Sequence, residues 1–373
     1  MKILFIASTP ESIIPFRGKL LRTLVSLGVK VSVCAPFTNQ HHSIVRELSD
    51  SYKVQTYTIA LGKAGINVIS DFRYLIMLIN VIKLIKPNAI FCYTMKPVIY
   101  GSIAGWISRV SNTYSMITGL GFLFIDTDSF FKKKIQFIGK AILSFSLTKN
   151  KKIFFQNVDD QKLFFEQKII GKSQSTHVVN GSGVDIEFYN QRPLPSEPIF
   201  LLIARMIVNK GIYEYVEAIR QVKKKFPLVK FSIVGGLEEN IDGIDEVVIQ
   251  SWVSEGLFEY RGVVSDVRLE IEKCSIYVLP SYREGTPRSV LEAMSMARPI
   301  ITSDVPGCRE TVLNGITGIL VKPRNSSDLA DAMQVLIQDQ NLRESMGQKS
   351  REYAVKKYSD DLVVADIISQ LDI

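Results

Sequence analysis

Twice along this chain, short apolar runs rich in β-branched residues alternate with stretches of helical period, and no other feature restricts the fold as much. Strands are predicted over residues 3–7, 29–34, 54–59, 89–92, 114–117 and 153–155. Helices fit between them, including one over 17–27 ended by Gly28 and one over 68–85 that stops at Lys86, ahead of Pro87. Such alternation winds a parallel sheet covered by helices on both faces. After a break it restarts, with strands predicted over 199–203, 231–234, 247–249, 276–279, 299–302 and 318–321.

The break runs from Asn180-Gly-Ser-Gly to Pro193, Pro195 and Pro198, a composition with little capacity for helix or strand. At 373 residues the chain also exceeds what one hydrophobic core usually holds. The predicted organisation is therefore an N-terminal Rossmann-like domain over 1–180 and an interdomain connector over 181–198. A second Rossmann-like domain follows over 199–350, then a C-terminal helical segment over 351–373 that packs back on the first domain. Two doubly wound α/β units facing a central cleft would present the carboxyl ends of their strands to it, where open parallel sheets bind ligands.

Composition excludes several classes. A chain that is 46% hydrophobic and 22% charged is neither disordered nor a disulfide scaffold. Cys34, Cys92, Cys274 and Cys308 lie far apart without a Cys-x-x-Cys pair, and His41, His42 and His177 are the only histidines, so free thiols and no metal centre are expected. The apolar segment 3–7 is too short for a signal-peptide core, and the run 74–82 is broken by Asn80 and falls short of the ~20 residues of a membrane span. The first 190 residues hold 23 Lys and Arg against 11 Asp and Glu, a net +12, which the net −4 of the remainder reduces to the total of +8. Where that excess is interleaved with apolar side chains, in 73–86 and at Phe130-Phe-Lys-Lys-Lys134, it suits an anionic membrane surface, against the plainer reading of a solvated basic face. No nucleic-acid motif accompanies it. The expected location is cytoplasmic, peripheral to the inner face of the cytoplasmic membrane.

The most specific segment is Val278-Leu-Pro-Ser-Tyr-Arg-Glu-Gly-Thr-Pro-Arg-Ser-Val-Leu-Glu-Ala-Met294. It predicts a strand, a loop with Glu284 and Gly285, then a helix capped by Thr286 with Pro287 at its first position. The first amides of that helix, on Arg288, Ser289 and Val290, would offer a phosphate site at the positive end of the helix dipole. Glu284 and Glu292 stand eight positions apart, near that site but separated, and carboxylates accept hydrogen bonds from vicinal hydroxyls such as those of a sugar and a ribose. The plainer reading is a dipole-favoured acid and a solvated helical glutamate. Arg205, closing the strand 199–203, and Lys210-Gly211 add two cations to the same edge. Aimed at a departing diphosphate, they would stabilise the charge that develops as its bond to a sugar breaks.

Ala204-Arg205 with Lys210-Gly211, the Gly235-Gly236 turn, Gly262-Val-Val-Ser-Asp266, Glu284-Gly285 through Glu292, and Asn180-Gly-Ser-Gly-Val-Asp185 together resemble glycosyltransferase family 4, of GT-B architecture. The resemblance spans nearly the whole chain. It implies a nucleotide-sugar donor, UDP by likeness, bound by the second domain, retention of anomeric configuration, and neither metal nor cofactor. It gives Arg205, Lys210 and Glu284 catalytic roles on the diphosphate and donor sugar, Glu292 the ribose, and places Gly235, Gly236, Val264, Gly285, Thr286, Arg288, Ser289 and Val290 around the donor. In the first half, Phe16-Arg17-Gly18, Tyr93-Thr-Met-Lys96-Pro97, Ile117-Thr118-Gly119-Leu-Gly121 and Phe155-Gln-Asn157 resemble enzymes that extend lipid-linked O-antigen, capsule or glycan units. By that likeness Arg17, Gly18, Lys96, Thr118, Gly119 and Asn157 are acceptor-side residues, and the partner is a polyprenyl-diphosphate-linked saccharide.

Two departures stand out: Pro15-Phe16-Arg17-Gly18 replaces the glycine pair many relatives carry, and Thr118 stands where they have a histidine. A same-face reaction, in which the leaving phosphate takes the acceptor proton, needs no histidine base. Two other readings share the architecture. A sugar-nucleotide 2-epimerase requires acid and base groups flanking the sugar carbon, which three histidines poorly supply. A non-catalytic binding protein need not keep both cations and both carboxylates. Asp126-Thr-Asp128 matches a short Asp-x-Asp metal pattern, but follows a glycine-rich loop instead of an apolar strand.

Overall fold

The computed structural model describes residues 1–62, 68–124, 129–238 and 242–372. Asp126-Thr-Asp128 lies outside the described residues. The chain divides into two compact units, one of Met1–Ser182 with Val363–Ile373, the other of Gly183–Leu362.

In the first unit the strands are β1 (Lys2–Ile6), β2 (Lys30–Ala35), β3 (Gln55–Thr58), β4 (Ala89–Tyr93), β5 (Asn112–Ile117), β6 (Lys152–Phe155) and β7 (Thr176–Val178). All pairings are parallel, in the order β3-β2-β1-β4-β5-β6-β7. β4 is buried at every position, as a strand covered on both faces must be. Alternation along β1 sends Ile3 and Phe5 into one core and Leu4 and Ile6 into the other. The first core is closed by the helix Ile13–Ser26 and by Val363, Val364, Ile367 and Leu371 from the end of the chain. The second is closed by the helices Val68–Ile85, Met95–Ile107 and Phe130–Leu147.

The second unit contains β8 (Ile199–Ile203), β9 (Lys230–Val234), β10 (Glu259–Tyr260), β11 (Ile276–Leu279), β12 (Ile300–Ser303) and β13 (Gly318–Val321), again all parallel, in the order β10-β9-β8-β11-β12-β13. Both sheets reverse their winding beside their first strand, between β1 and β4 and between β8 and β11. Ligands of doubly wound sheets bind at the carboxyl end of such a reversal.

The structure differs from the sequence reading in several places. Residues 247–249 belong to the helix Glu246–Ser254, because the Asp245 side chain accepts from the Val247 amide at 2.8 Å and caps it, while Ile249 and Trp252 turn inward with helical period. The edge strand is Glu259–Tyr260, too short and too polar to announce itself, and β7 was likewise not anticipated. The first helix begins at Ile13, four residues early, with Pro15 tolerated in its first turn. Val184 and Tyr189, within the stretch read as a connector, are buried in the core of the second unit. The C-terminal segment is the end of the helix Gln340–Tyr353, a π turn over Ala354–Tyr358 and the helix Asp360–Ser369.

All four cysteines are free and buried. Among the described residues no helix is long and apolar enough to cross a membrane. His177 Nε2 meets the Asp366 carboxylate at 2.9 Å, and the Tyr114 hydroxyl donates to Asp372 at 2.9 Å, so polar contacts join apolar ones in fastening the end of the chain to the first unit. Ile367→Ala should therefore destabilise that unit by about 2–4 kcal/mol through lost burial and a residual cavity, read as a lowered calorimetric transition.

Candidate active site

The carboxyl edge of the second sheet is shaped by two glycines. Gly235, at φ +151°, lies so near the Ala204 carbonyl that a Cβ would stand 1.7 Å from its oxygen. The turn after β9 is thereby pressed onto the end of β8, and Met206 donates to the Gly236 carbonyl at 2.9 Å. Gly211, in the left-handed region at φ +72°, would put a Cβ 2.1 Å from the Pro280 carbonyl oxygen. The loop after β8 can therefore touch the loop after β11, where Tyr282 donates to the Asn209 carbonyl at 3.0 Å.

These approaches bring the charged side chains together. Arg205 Nη1 donates to Glu238 Oε1 at 3.0 Å, its side chain being well exposed. Lys210 Nζ donates to Glu284 Oε1, both side chains being largely buried, and the Ser281 hydroxyl donates to the same oxygen at 2.7 Å. Arg288 Nε donates to Glu292 Oε1 at 2.9 Å one helical turn along. Three cations and three carboxylates thus share one sheet edge, each cation already oriented by an acid. A diphosphate arriving there would offer Arg205 and Lys210 the kind of oxygen acceptors they already hold.

The helix after β11 runs over Arg288–Ser295. Pro287, with ψ 110°, stands in the capping position expected for Thr286, so helical dihedrals start one residue later than the sequence suggested. The Val290 amide bonds the Pro287 carbonyl at 3.1 Å and its side chain is in the core, so Val290 contributes to packing and not to an anion site. The Ser289 hydroxyl donates to the Ile203 carbonyl at 3.2 Å, which ties the helix start to the end of β8. Gly285 and Thr286 lie in the loop between Glu284 and this helix, and Val264 packs half-buried against the same core.

Glu292 is not a solvated helical residue. Burial pushes its carboxyl pKa up, while Arg288 opposes the shift and the Tyr189 hydroxyl hydrogen-bonds it. The Tyr189 phenol is in turn pushed up by burial, with the Glu292 charge adding to the effect. Cys308 lies close to Glu284 and Lys210, and its thiol is raised by burial and then by the Glu284 charge, the opposite of a reactive thiolate. Tyr189, Glu238 and Ser281 escaped the sequence reading. Only Ser281, three positions before Glu284 on the same loop, carried a local signal.

In the first unit the six acceptor-side candidates have different surroundings. Arg17 is buried, 5.0 Å from the centroid of the Tyr93 ring, and donates to Met116 Sδ at 2.9 Å. Gly18 is a packing residue, since a Cβ would come 2.9 Å from the Tyr52 hydroxyl. Asn157 is a helix cap: its Oδ1 accepts from the Asp160 amide at 2.7 Å and its Nδ2 donates to the Asp160 carboxylate at 3.1 Å. That gives Asn157 a structural role at the start of the helix, beside its reading as an acceptor contact. Thr118 and Gly119 follow β5 half-buried, with open space beside Gly119. Lys96, in the first turn of the helix Met95–Ile107 that follows β4, donates to Asp71 Oδ1 of the helix Val68–Ile85 at 2.8 Å.

A carboxyl whose pKa is higher in the folded than in the unfolded state favours folding most at low pH. That contribution is lost as pH rises through the raised value. Between about pH 4 and about pH 7, the melting temperature of wild type relative to Glu292→Gln should therefore fall as pH rises. A difference independent of pH would show that the buried carboxyl has no raised pKa.

Residues 2–157 match the family described as glycosyl transferase 4-like, and residues 197–339 match glycosyl transferases group 1. The chain is 25% identical, over its whole length and 98% of the relative, to a Campylobacter jejuni N,N'-diacetylbacillosaminyl-diphospho-undecaprenol alpha-1,3-N-acetylgalactosaminyltransferase. It is 24% identical, over 82% of each chain, to the capsular polysaccharide biosynthesis glycosyltransferase CapM of Staphylococcus aureus. Among solved structures, sucrose-phosphate synthase of Thermosynechococcus elongatus superposes with a TM-score of 0.79 at 19% identity, covering 99% of this chain and 98% of that one. Anabaena Alr3699/HepE in complex with UDP gives 0.76 at 18%, covering 99% of both chains. The two parallel sheets and these likenesses are those of the GT-B fold, and the two domain matches cover most of the sequence: the chain belongs to the glycosyltransferases that join a 4-like domain to a group 1 domain.

Proposed function

We propose that this glycosyltransferase moves a hexose or N-acetylhexosamine from a UDP-sugar to a polyprenyl-diphosphate-linked saccharide, with retention and without metal, in bacterial surface polysaccharide synthesis. The observation that carries the reading is the placement of Arg205 and Lys210. Both lie on the loop after β8, at the winding reversal of the second sheet, and each is oriented by a carboxylate. The acceptor class is supported by the diphospho-undecaprenol named in the Campylobacter relative, and the donor class by the UDP bound to Alr3699/HepE.

In this scheme the bond from the sugar's anomeric carbon to the leaving phosphate oxygen breaks, and a bond to the acceptor hydroxyl oxygen forms on the same face. The hydroxyl proton passes to the leaving phosphate, so no side-chain base is required. Negative charge grows on the diphosphate as the bond lengthens, and Arg205 and Lys210 stabilise the transition state beyond the ground state. Glu284, steadied by Lys210 and Ser281, is positioned to accept from donor-sugar hydroxyls, and Glu292 from the ribose.

Basic and apolar side chains on the helix Phe130–Leu147 are suited to hold the enzyme at an anionic leaflet, the inner face of the cytoplasmic membrane in this reading. Phe130, Phe131 and Phe137 are exposed, and Lys134 lies 4.6 Å from the Phe130 ring centroid.

Arg205→Ala and Lys210→Ala should each lower turnover more than tenfold, at least ~1.4 kcal/mol of transition-state stabilisation, with circular dichroism unchanged. Near-normal rates in either would remove the phosphate role. A screen of UDP-sugars against a defined lipid-linked acceptor in chelator, read by mass spectrometry, should show transfer; inversion at C2 of the donor alone would make the protein an epimerase. Reversing Lys132, Lys133 and Lys134 to glutamate should weaken binding to anionic vesicles without changing donor hydrolysis, and undiminished binding would refute docking through that helix.

A further inference from the structure

The first unit contains a cavity of about 720 Å³, within the ~300–1,000 Å³ of small-molecule sites, and nothing in the reaction scheme above uses it. Its two ends differ in chemistry. At one end Ser8 and Thr9 follow β1, and Lys96, held by Asp71 at 2.8 Å, follows β4. This polar end is the winding reversal of the first sheet, the counterpart of the place that Arg205, Lys210 and Glu284 occupy in the second.

The other end is apolar and opens on apolar surface. Phe72 and Leu75 of the helix Val68–Ile85 face Ile138 and Ile142 of the helix Phe130–Leu147, with Ile99 on a third side. Phe72 is 61% exposed and Ile138 56%, so both belong at once to the wall and to the surface. Along the same helices Ile69, Ile76, Phe130 and Phe137 are also exposed, with Lys132, Lys133 and Lys134 beside them. Exposed apolar side chains in such continuity mark a contact surface. A hydrocarbon chain could pass from that surface into the cavity without crossing water, while a polar head at its far end reached the carboxyl edge of the sheet.

We infer that this cavity receives the first isoprenoid units of the acceptor, with its diphosphate directed toward Lys96. The inference rests on the acceptor class proposed above and adds the subsite that distinguishes a polyprenyl acceptor from a soluble sugar. The dimension and lining argue for one flexible apolar chain. Lys96 at the polar end supplies the cation an anionic head requires, and the exposed lysines along the rim match the charge of the surface from which the chain would enter.

The test is calorimetry in vesicle-free buffer with geranylgeranyl diphosphate as probe, and UDP as a check on the second unit. Wild type should bind the probe, and bind inorganic diphosphate at least tenfold more weakly. Phe72→Asp and Ile138→Asp, at positions too exposed for the fold to depend on them, should weaken the probe at least tenfold and leave UDP affinity and melting temperature unchanged. A benzophenone-bearing farnesyl diphosphate should label the helices Val68–Ile85 or Phe130–Leu147. Equal affinity for inorganic diphosphate, unaltered binding in both variants, or labelling elsewhere would overturn the inference, as would palmitate binding with the same affinity and the same sensitivity to the variants. These measurements need no turnover. If the probe binds as described but no lipid-linked saccharide accepts a sugar, the proposed function falls and the isoprenoid site stands. If both variants bind the probe and transfer to a full-length acceptor as wild type does, the site falls and the transferase stands.

Discussion

An ammonium and a carboxylate 74 residues apart, Lys210 and Glu284, meet at the carboxyl edge of the second sheet, and the surrounding loops are built around that meeting. Withdrawing both groups from water is costly unless their remaining valences are met, and attraction alone seldom recovers the cost. Here the Ser281 hydroxyl donates to the same carboxylate oxygen, and the loops touch so closely that Gly211 can carry no side chain. An apolar pair would pack there with less expense. A charged pair kept at such a point is poised to exchange partners with an anionic ligand, which is the role proposed for it.

The same topological rule organises both units. Each sheet is wound outward from its first strand in two directions, leaving the ends of β1 and β4, and of β8 and β11, without a crossover helix above them. The segments that follow those strands are free of the sheet's own packing and can carry polar and charged residues: Ser8, Thr9 and Lys96 in one unit, Arg205, Lys210 and Glu284 in the other. What differs is the company they keep. The second unit surrounds its ions with further ions and a buried Glu292–Tyr189 hydrogen bond, whereas the first opens into hydrocarbon. The proposed nucleotide sugar and lipid diphosphate would make those two demands.

Much of the fold was legible because parallel strands buried on both faces need unbroken apolar runs, and β8, β11 and β13 coincide with theirs. Residues 247–249 read as a strand for the same reason, since three apolar residues look alike in either period; the Asp245 cap and the inward turn of Trp252 decided for helix. Of the candidate site, Arg205, Lys210 and Glu284 could be picked out from their places after strands, and Glu292 from its spacing to Glu284. The cap role of Asn157 was not legible, because an amide beside a strand end suits a ligand and a helix cap equally, and only the 2.7 Å bond to the Asp160 amide shows the cap.

The sequence by itself determined that the chain makes two parallel α/β units and that the charged residues of the candidate site follow β8 and β11, because burial imposes a pattern on neighbouring residues that can be read locally. Which charges pair, that Glu292 is buried against Tyr189 a hundred residues away, and that helices 68–85 and 130–147 enclose a cavity ending at Lys96 were decided by tertiary structure alone. Such contacts join side chains distant in the chain, and no local period records the partner a residue will meet.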